Sequence, residues 1–176
     1  KETKDIMNIK NIHLAYFSAT FSTKRIVREI ASQFQKPVIE YDITSDVLKD
    51  DVSLGSDGDL LIVGVPSYAG RVPEMVVRSL RRFLGNNTPA IIVSVYGNRA
   101  YDDTLIELKD LMESHGFKLL SAAAVIAQHS IFPKIAEGRP NADDMKKMIT
   151  EKVGLILLQR VGNFYSRYQR CQQSAD

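Results

Sequence analysis

Two stretches of this chain, Leu60-Leu61-Ile62-Val63-Gly64-Val65 and Ala90-Ile91-Ile92-Val93, are apolar at every position rather than at every second one. A strand with that pattern is buried on both faces, and a parallel sheet with helices packed above and below buries both faces. The surrounding sequence has the matching rhythm, because short β-like apolar runs alternate with longer runs at helical spacing, the pattern of βα units. The spacing predicts strands at about 11–17, 37–42, 59–65, 89–95 and 118–126, and helices at about 22–35, 73–84, 102–115 and from about 141 onward. Pro73 suits the first turn of the second helix. Met75, Val76, Leu80 and Phe83 form its apolar stripe, and Gly85 is placed to stop it. Residues 44–58 are acidic and irregular and are expected to pack loosely over one face of the sheet.

A length of 176 residues fits a single domain, 1–176, large enough for one substantial core. No apolar run approaches the roughly 20 residues of a membrane span, so membrane insertion is not expected. A net charge of +2, with basic residues dispersed apart from Arg81-Arg82, gives no reason to expect nucleic acid as a partner. Cys171 is the only cysteine, which excludes intrachain disulfides and a thiolate-held iron–sulfur cluster within this chain. Three scattered histidines offer no zinc spacing. Residues 1–11 are polar and lack the apolar core of a secretory signal, so a cytoplasmic address is the default expectation.

The candidate site begins at Ser18-Ala19-Thr20-Phe21-Ser22-Thr23, where the apolar run 12–17 gives way to the amphipathic run Ile26, Val27, Ile30, Ala31, Phe34. A buried strand that ends in hydroxyls and turns directly into a helix aims unpaired backbone N–H groups and the positive end of a helix dipole at one point. That point suits a phosphate. In an open α/β sheet the ligand crevice lies beyond the carboxyl ends of the strands, which is where this loop falls. Two further loops should meet it there: Pro66-Ser67-Tyr68-Ala69-Gly70-Arg71 and Tyr96-Gly97-Asn98-Arg99-Ala100-Tyr101. Hydroxyls and amides for a phosphate, with small residues and aromatic rings beside them, call for a nucleotide carrying a planar ring system.

On these residues the sequence resembles the flavodoxin family, whose phosphate loop reads Ser/Thr-x-Thr-Gly-x-Thr; the matching positions are Ser18, Thr20 and Thr23, with Phe21 where the family usually has glycine. The resemblance covers about residues 10–160. Within the family, residues 64–73, 96–103 and Gln128-His129-Ser130 look most like the flavodoxin domain of bacterial flavodoxin–ferredoxin fusion proteins. It implies a short-chain, flavodoxin-like three-layer sandwich, an α/β fold whose five-stranded parallel sheet has the order 2-1-3-4-5. It also implies FMN held noncovalently. Ser18, Ala19, Thr20, Phe21, Ser22 and Thr23 would surround the phosphate, and Pro66, Ser67, Tyr68, Ala69, Gly70, Tyr96, Gly97, Asn98 and Tyr101 would surround the ring. Gly70, free of a Cβ penalty, is the residue best able to let a peptide carbonyl turn toward the protonated ring edge of the reduced flavin. No tryptophan is present to cover the ring, and Asn98 stands roughly in its place.

The implied function is electron transfer with a redox partner protein, of the ferredoxin type or a reductase. Two alternatives stand beside it: an FMN-dependent NAD(P)H:quinone-type oxidoreductase, and a scaffold domain in which Phe21 fills the phosphate site and the cofactor has been lost. A phosphorylated receiver of the same fold would need acidic residues after Phe17 and Val65, where this chain has Ser18, Ala19, Pro66 and Ser67. Arg71 and Arg99 are expected to be solvated or to meet an anionic ligand, and His129 to be structural.

Overall fold

The computed structural model describes residues 9–20, 22–97, 103–127 and 138–148. In chain order the elements are β1 (Asn11–Tyr16), α1 (Ser22–Ser32), β2 (Val38–Asp42), β3 (Val52–Ser53), β4 (Asp59–Pro66), α2 (Glu74–Leu80), β5 (Phe83–Leu84), β6 (Thr88–Tyr96), α3 (Thr104–Ser114), β7 (Phe117–Ile126) and α4 (Ala142–Met148). Five strands form one parallel sheet in the order β2-β1-β4-β6-β7. Counted over the strands expected from the sequence, this is the order 2-1-3-4-5.

The doubly apolar stretches are the central strands. Leu60, Leu61, Ile62, Val63 and Val65 of β4 are all fully buried, and alternate side chains belong to different cores. Leu60 and Ile62 pack with Ile26, Val27 and Ile30 of α1 and with Met145 of α4. Leu61, Val63 and Val65 pack with Val76 and Leu80 of α2 and with Leu105, Leu108 and Met112 of α3. Burial on this scale contributes about 1.5–3 kcal/mol per large aliphatic side chain, which fixes the sheet as the rigid frame from which the loops project. Gly64 is small for a reason: a Cβ there would lie 2.3 Å from Val27 Cγ1 and 2.9 Å from Thr23 Cγ2, so its absence lets α1 sit directly on β4.

Two expectations need correction. The second helix does not run to residue 84, because α2 ends at Leu80 and Arg82 N–H turns back to the Ser79 carbonyl at 3.0 Å. Phe83 and Leu84 then form β5, parallel to β3. Phe83 satisfies the apolar periodicity by burial in the same core, edge-on to Tyr41, but from a strand. Gly85 therefore stops no helix; it lies against Gly116, whose added Cβ would sit 2.2 Å from the Gly85 carbonyl oxygen. Nor does the segment 44–58 pack loosely. Leu48 N–H donates to Ser79 Oγ at 3.1 Å, Val52 N–H to the Arg82 carbonyl, and Leu54 N–H to the Leu84 carbonyl, and Leu54 is buried. The expected continuation of the terminal helix past Met148, together with His129, Ser130 and Cys171, lies outside the described residues.

Candidate functional site

The carboxyl ends of β1, β4 and β6 lie side by side, so the three loops leave the same edge of the sheet. The first follows Tyr16 and Phe17. Phe17 N–H still donates to the Gly64 carbonyl at 3.1 Å, and the ladder ends there. Ser18 is buried and doubly engaged: its N–H donates to Thr44 Oγ1 at 2.9 Å, and its Oγ accepts from Lys24 N–H at 3.0 Å. Ser18 thus caps α1, a role short hydroxyl side chains fill at helix starts. Ala19 and Thr20 are exposed, and Thr23 is buried with its methyl over Gly64. The hydroxyls of Thr20, Ser22 and Thr23 make no hydrogen bond among the described residues, and the N–H groups of Ser22, Thr23 and Lys24 in the first turn of α1 have no intrahelical acceptor, that of Lys24 being taken by Ser18 Oγ. Phe21 lies outside the described residues.

Charge around this loop is arranged behind it. Glu40 of β2 takes a two-pronged pair from Arg28 of α1, at 2.8 and 2.9 Å, and a hydrogen bond from Tyr16 OH at 2.9 Å. The Arg28 guanidinium holds the Glu40 carboxyl below its ordinary value, with partial burial opposing and the Tyr16 hydroxyl assisting. Burial and this carboxylate push the Tyr16 phenol up to about 12. Lys24 Nζ rests 5.5 Å from the centre of the Tyr16 ring, so its charge is directed back toward Glu40.

The second loop is internally satisfied. Ser67 N–H donates to the Val95 carbonyl at 2.9 Å, and its Oγ shares a 2.7 Å hydrogen bond with Thr104 Oγ1 at the start of α3. Tyr68 and Arg71 exchange both backbone hydrogen bonds at 3.0 Å, closing a two-residue turn whose central residues, Ala69 and Gly70, both have positive φ, +49° and +76°. Only a turn of the I′ hairpin kind requires two such residues, and glycine is the one that adopts φ > 0 without penalty. Arg71 is exposed, as expected, yet it is committed within the chain: its guanidinium pairs with Glu107 of α3, Nε to Oε1 2.6 Å, and Glu107 Oε2 accepts Val72 N–H at 2.8 Å. Tyr68 is 43% exposed, edge-on to Phe17 at 6.1 Å, and forms the aromatic wall between the first two loops. Partial burial raises its phenol above the ordinary value.

In the third loop, Tyr96 and Gly97 are half-buried, and the Tyr96 carbonyl accepts Ala127 N–H at 2.8 Å. Asn98, Arg99 and Tyr101 lie outside the described residues. The sequence reading missed Thr44, whose signal was Asp42-Ile43-Thr44, an aspartate two residues before a backbone N–H it can accept from. It also missed Glu107, which sits one helical turn into α3. Among the described residues there is no cluster of histidine, cysteine and carboxylate side chains fit for a metal, and no helix long and apolar enough to cross a membrane.

This geometry belongs to the flavodoxin-like class of α/β folds. The chain is similar to a short-chain flavodoxin associated with a PDU bacterial microcompartment, at 14% identity over 85% of this chain and 99% of that one, with a TM-score of 0.59. It is similar to the flavodoxin of Streptococcus pneumonia TIGR4, at 17% identity over 82% and 97% of the two chains, with a TM-score of 0.55. An azoreductase from Bacillus anthracis str. Sterne is comparably similar, at 8% identity over 84% and 99%, with a TM-score of 0.57. Identities this low establish a shared fold. No protein-family model matches the chain, and no curated protein matches it.

Proposed function

We propose that this protein, acting as a single cytoplasmic domain, binds FMN noncovalently at the carboxyl edge of its sheet and carries electrons between redox partners. The observation that carries this reading is the loop after β1. Thr20, Ser22 and Thr23 hold hydroxyls not committed elsewhere among the described residues, beside the open N–H groups at the start of an eleven-residue helix. That donor set suits a phosphate dianion: neutral dipoles and hydroxyls stabilise the charge without a direct cationic partner. FMN, when bound, supplies one- and two-electron redox chemistry.

The remaining roles belong to side chains of this chain. Ser18 caps α1 and holds the loop rather than gripping the phosphate with an uncommitted oxygen. Tyr68 offers an aromatic surface to the ring and excludes water from one side of it. Gly70 supplies the backbone freedom for its peptide carbonyl to meet a proton at the ring edge. Tyr96 and Gly97 border the same crevice. A partner of the ferredoxin type, or a reductase, would dock beside Tyr68. Similarity to an azoreductase supports a second reading, an FMN-dependent NAD(P)H:quinone-type oxidoreductase.

Absorption spectra before and after addition of FMN test the proposal. Appearance of a bound-flavin spectrum supports it, whereas a protein that stays colourless and gives no spectral shift is the scaffold that has lost its cofactor. Addition of NAD(P)H to the loaded protein then separates the two redox readings: direct bleaching marks the reductase, and inertness without a partner marks the carrier.

A further inference from the structure

The loop that would receive the phosphate is not held by its own residues alone. Ser18 N–H points away from the crevice to Thr44 Oγ1 at 2.9 Å, and Thr44 N–H is fixed by Asp42 Oδ1 at 3.0 Å. Ile43 N–H donates to the Tyr16 carbonyl at 3.0 Å, and the Ile43 side chain is fully buried, so the turn after β2 is anchored at the two residues that precede Thr44. On its other side Ser18 Oγ accepts Lys24 N–H. A chain of hydrogen bonds therefore runs from Asp42 through Thr44 and Ser18 into the first turn of α1. It satisfies the N–H of Ser18, a buried residue, and an unsatisfied buried N–H would otherwise turn the loop toward a new acceptor.

We infer that Thr44 is a positioning residue for the phosphate site: by accepting Ser18 N–H it fixes the cap of α1 and aims the Thr20, Ser22 and Thr23 hydroxyls and the open helix N–H groups at one point. The inference rests on the FMN reading for the identity of the ligand. Thr44 acts on the phosphate site only by holding Ser18 and the start of α1, so its loss weakens the grip on the phosphate while leaving the ring surface at Tyr68 unchanged.

Thr44→Val keeps the shape and removes the acceptor, and Thr44→Ser restores it. Titration of the three proteins with FMN and with riboflavin, which lacks the phosphate, separates the site from the fold. Thr44→Val should bind FMN about three- to tenfold more weakly than the parent, the range expected for one hydrogen bond. Riboflavin affinity should be unchanged, and Thr44→Ser should recover FMN binding. Equal losses for both flavins, no loss for FMN, or no recovery by Thr44→Ser would overturn the inference. Inorganic phosphate titrated against the amide resonances of Ser18 and Lys24 supplies a readout free of flavin. A phosphate-induced shift weakened by Thr44→Val supports the positioning role even where the parent binds neither flavin, an outcome that would sink the FMN reading alone. No phosphate-induced shift, or one that the substitution leaves unaltered, would overturn it. Should Thr44→Val fail to fold, Asp42→Ala, which releases Thr44 N–H from outside the crevice, should show a smaller loss with the same FMN-specific pattern; a loss shared by riboflavin would count against the role.

Discussion

The loops that follow β1 and β4 leave the same edge of the same sheet, yet they handle their polar groups in opposite ways. After β4, Ser67 is bonded to Thr104, Tyr68 and Arg71 close on each other, and Glu107 takes both the Arg71 guanidinium and Val72 N–H. After β1, only Ser18 is tied down among the described residues, while the hydroxyls of Thr20, Ser22 and Thr23 and the first N–H groups of α1 are left for another partner. Polar groups satisfied within the chain give shape, and groups left open give affinity. Under the proposed FMN reading, a crevice that takes a charged tail on one side and a flat ring on the other needs one loop of each kind.

The largest test of this contrast lies beneath the first loop. Gly64→Ala puts a methyl 2.3 Å from Val27 Cγ1 and 2.9 Å from Thr23 Cγ2, and both of those side chains are buried and β-branched. Overpacking of this kind costs about 1–3 kcal/mol, and denaturant unfolding should place Gly64→Ala at the upper end of that range. FMN binding should fall with it, because the turn that is displaced carries the hydroxyls. A variant with parental stability and parental FMN affinity would show that α1 is not seated on β4 as described.

A second pair of substitutions should part the two loops. Gly70→Ala places a Cβ at φ +76° and should cost about 1–2 kcal/mol of stability from backbone strain alone. Thr20→Ala, at an exposed position with no partner among the described residues, should change stability by less than about 0.5 kcal/mol. Its effect should appear instead as FMN binding weakened about three- to tenfold, with riboflavin unaffected. Calorimetric melting of both variants, with flavin titrations alongside, checks the pair. If Thr20→Ala destabilises the free protein as much as Gly70→Ala does, the first loop is structural too and the contrast fails.

Much of this arrangement is legible in the sequence, and the exceptions share a cause. Strand positions and order follow from apolar runs that have no polar face, since only a central parallel strand tolerates Leu60 to Val65 without alternation. The hydroxyl loop is legible because a strand, a run of hydroxyls and an amphipathic helix are contiguous. The helix expected to reach residue 84 is wrong because Phe83 has the right period for α2 and its burial comes from β5, a two-residue strand whose partner, Val52–Ser53, lies 31 residues upstream. Thr44 and Glu107 escaped for the same reason. Each serves a group 26 or 35 residues away, and no local pattern announces a hydrogen bond set by tertiary packing. Arg71 is exposed as the sequence leads one to expect, but its pairing with Glu107 becomes visible only once the turn at Ala69-Gly70 delivers it there.

The smallest expected effect comes from that last pair, and it is a dependence on pH. The Arg71 guanidinium holds the Glu107 carboxyl below its ordinary 4.5, with Val72 N–H assisting and partial burial opposing. A carboxyl depressed by folding contributes stability that is fully present above its unfolded value and is lost as the pH falls through its folded one. Glu107→Gln should therefore lower the denaturant midpoint slightly at neutral pH, and the gap to the parent should close below about pH 4.5 as the parent's own carboxyl is protonated. Arg71 is exposed and screened, so salt should shrink the gap as well. FMN affinity at neutral pH supplies the comparison: a second loop held by its own hydrogen bonds should pass little of this loss to the phosphate, and Glu107→Gln should bind inorganic phosphate as the parent does. A midpoint gap that acidification never narrows would mean that the turn is held by packing on α3 and not by charge, and the first loop's open donors would then stand against a neighbour shaped by burial alone.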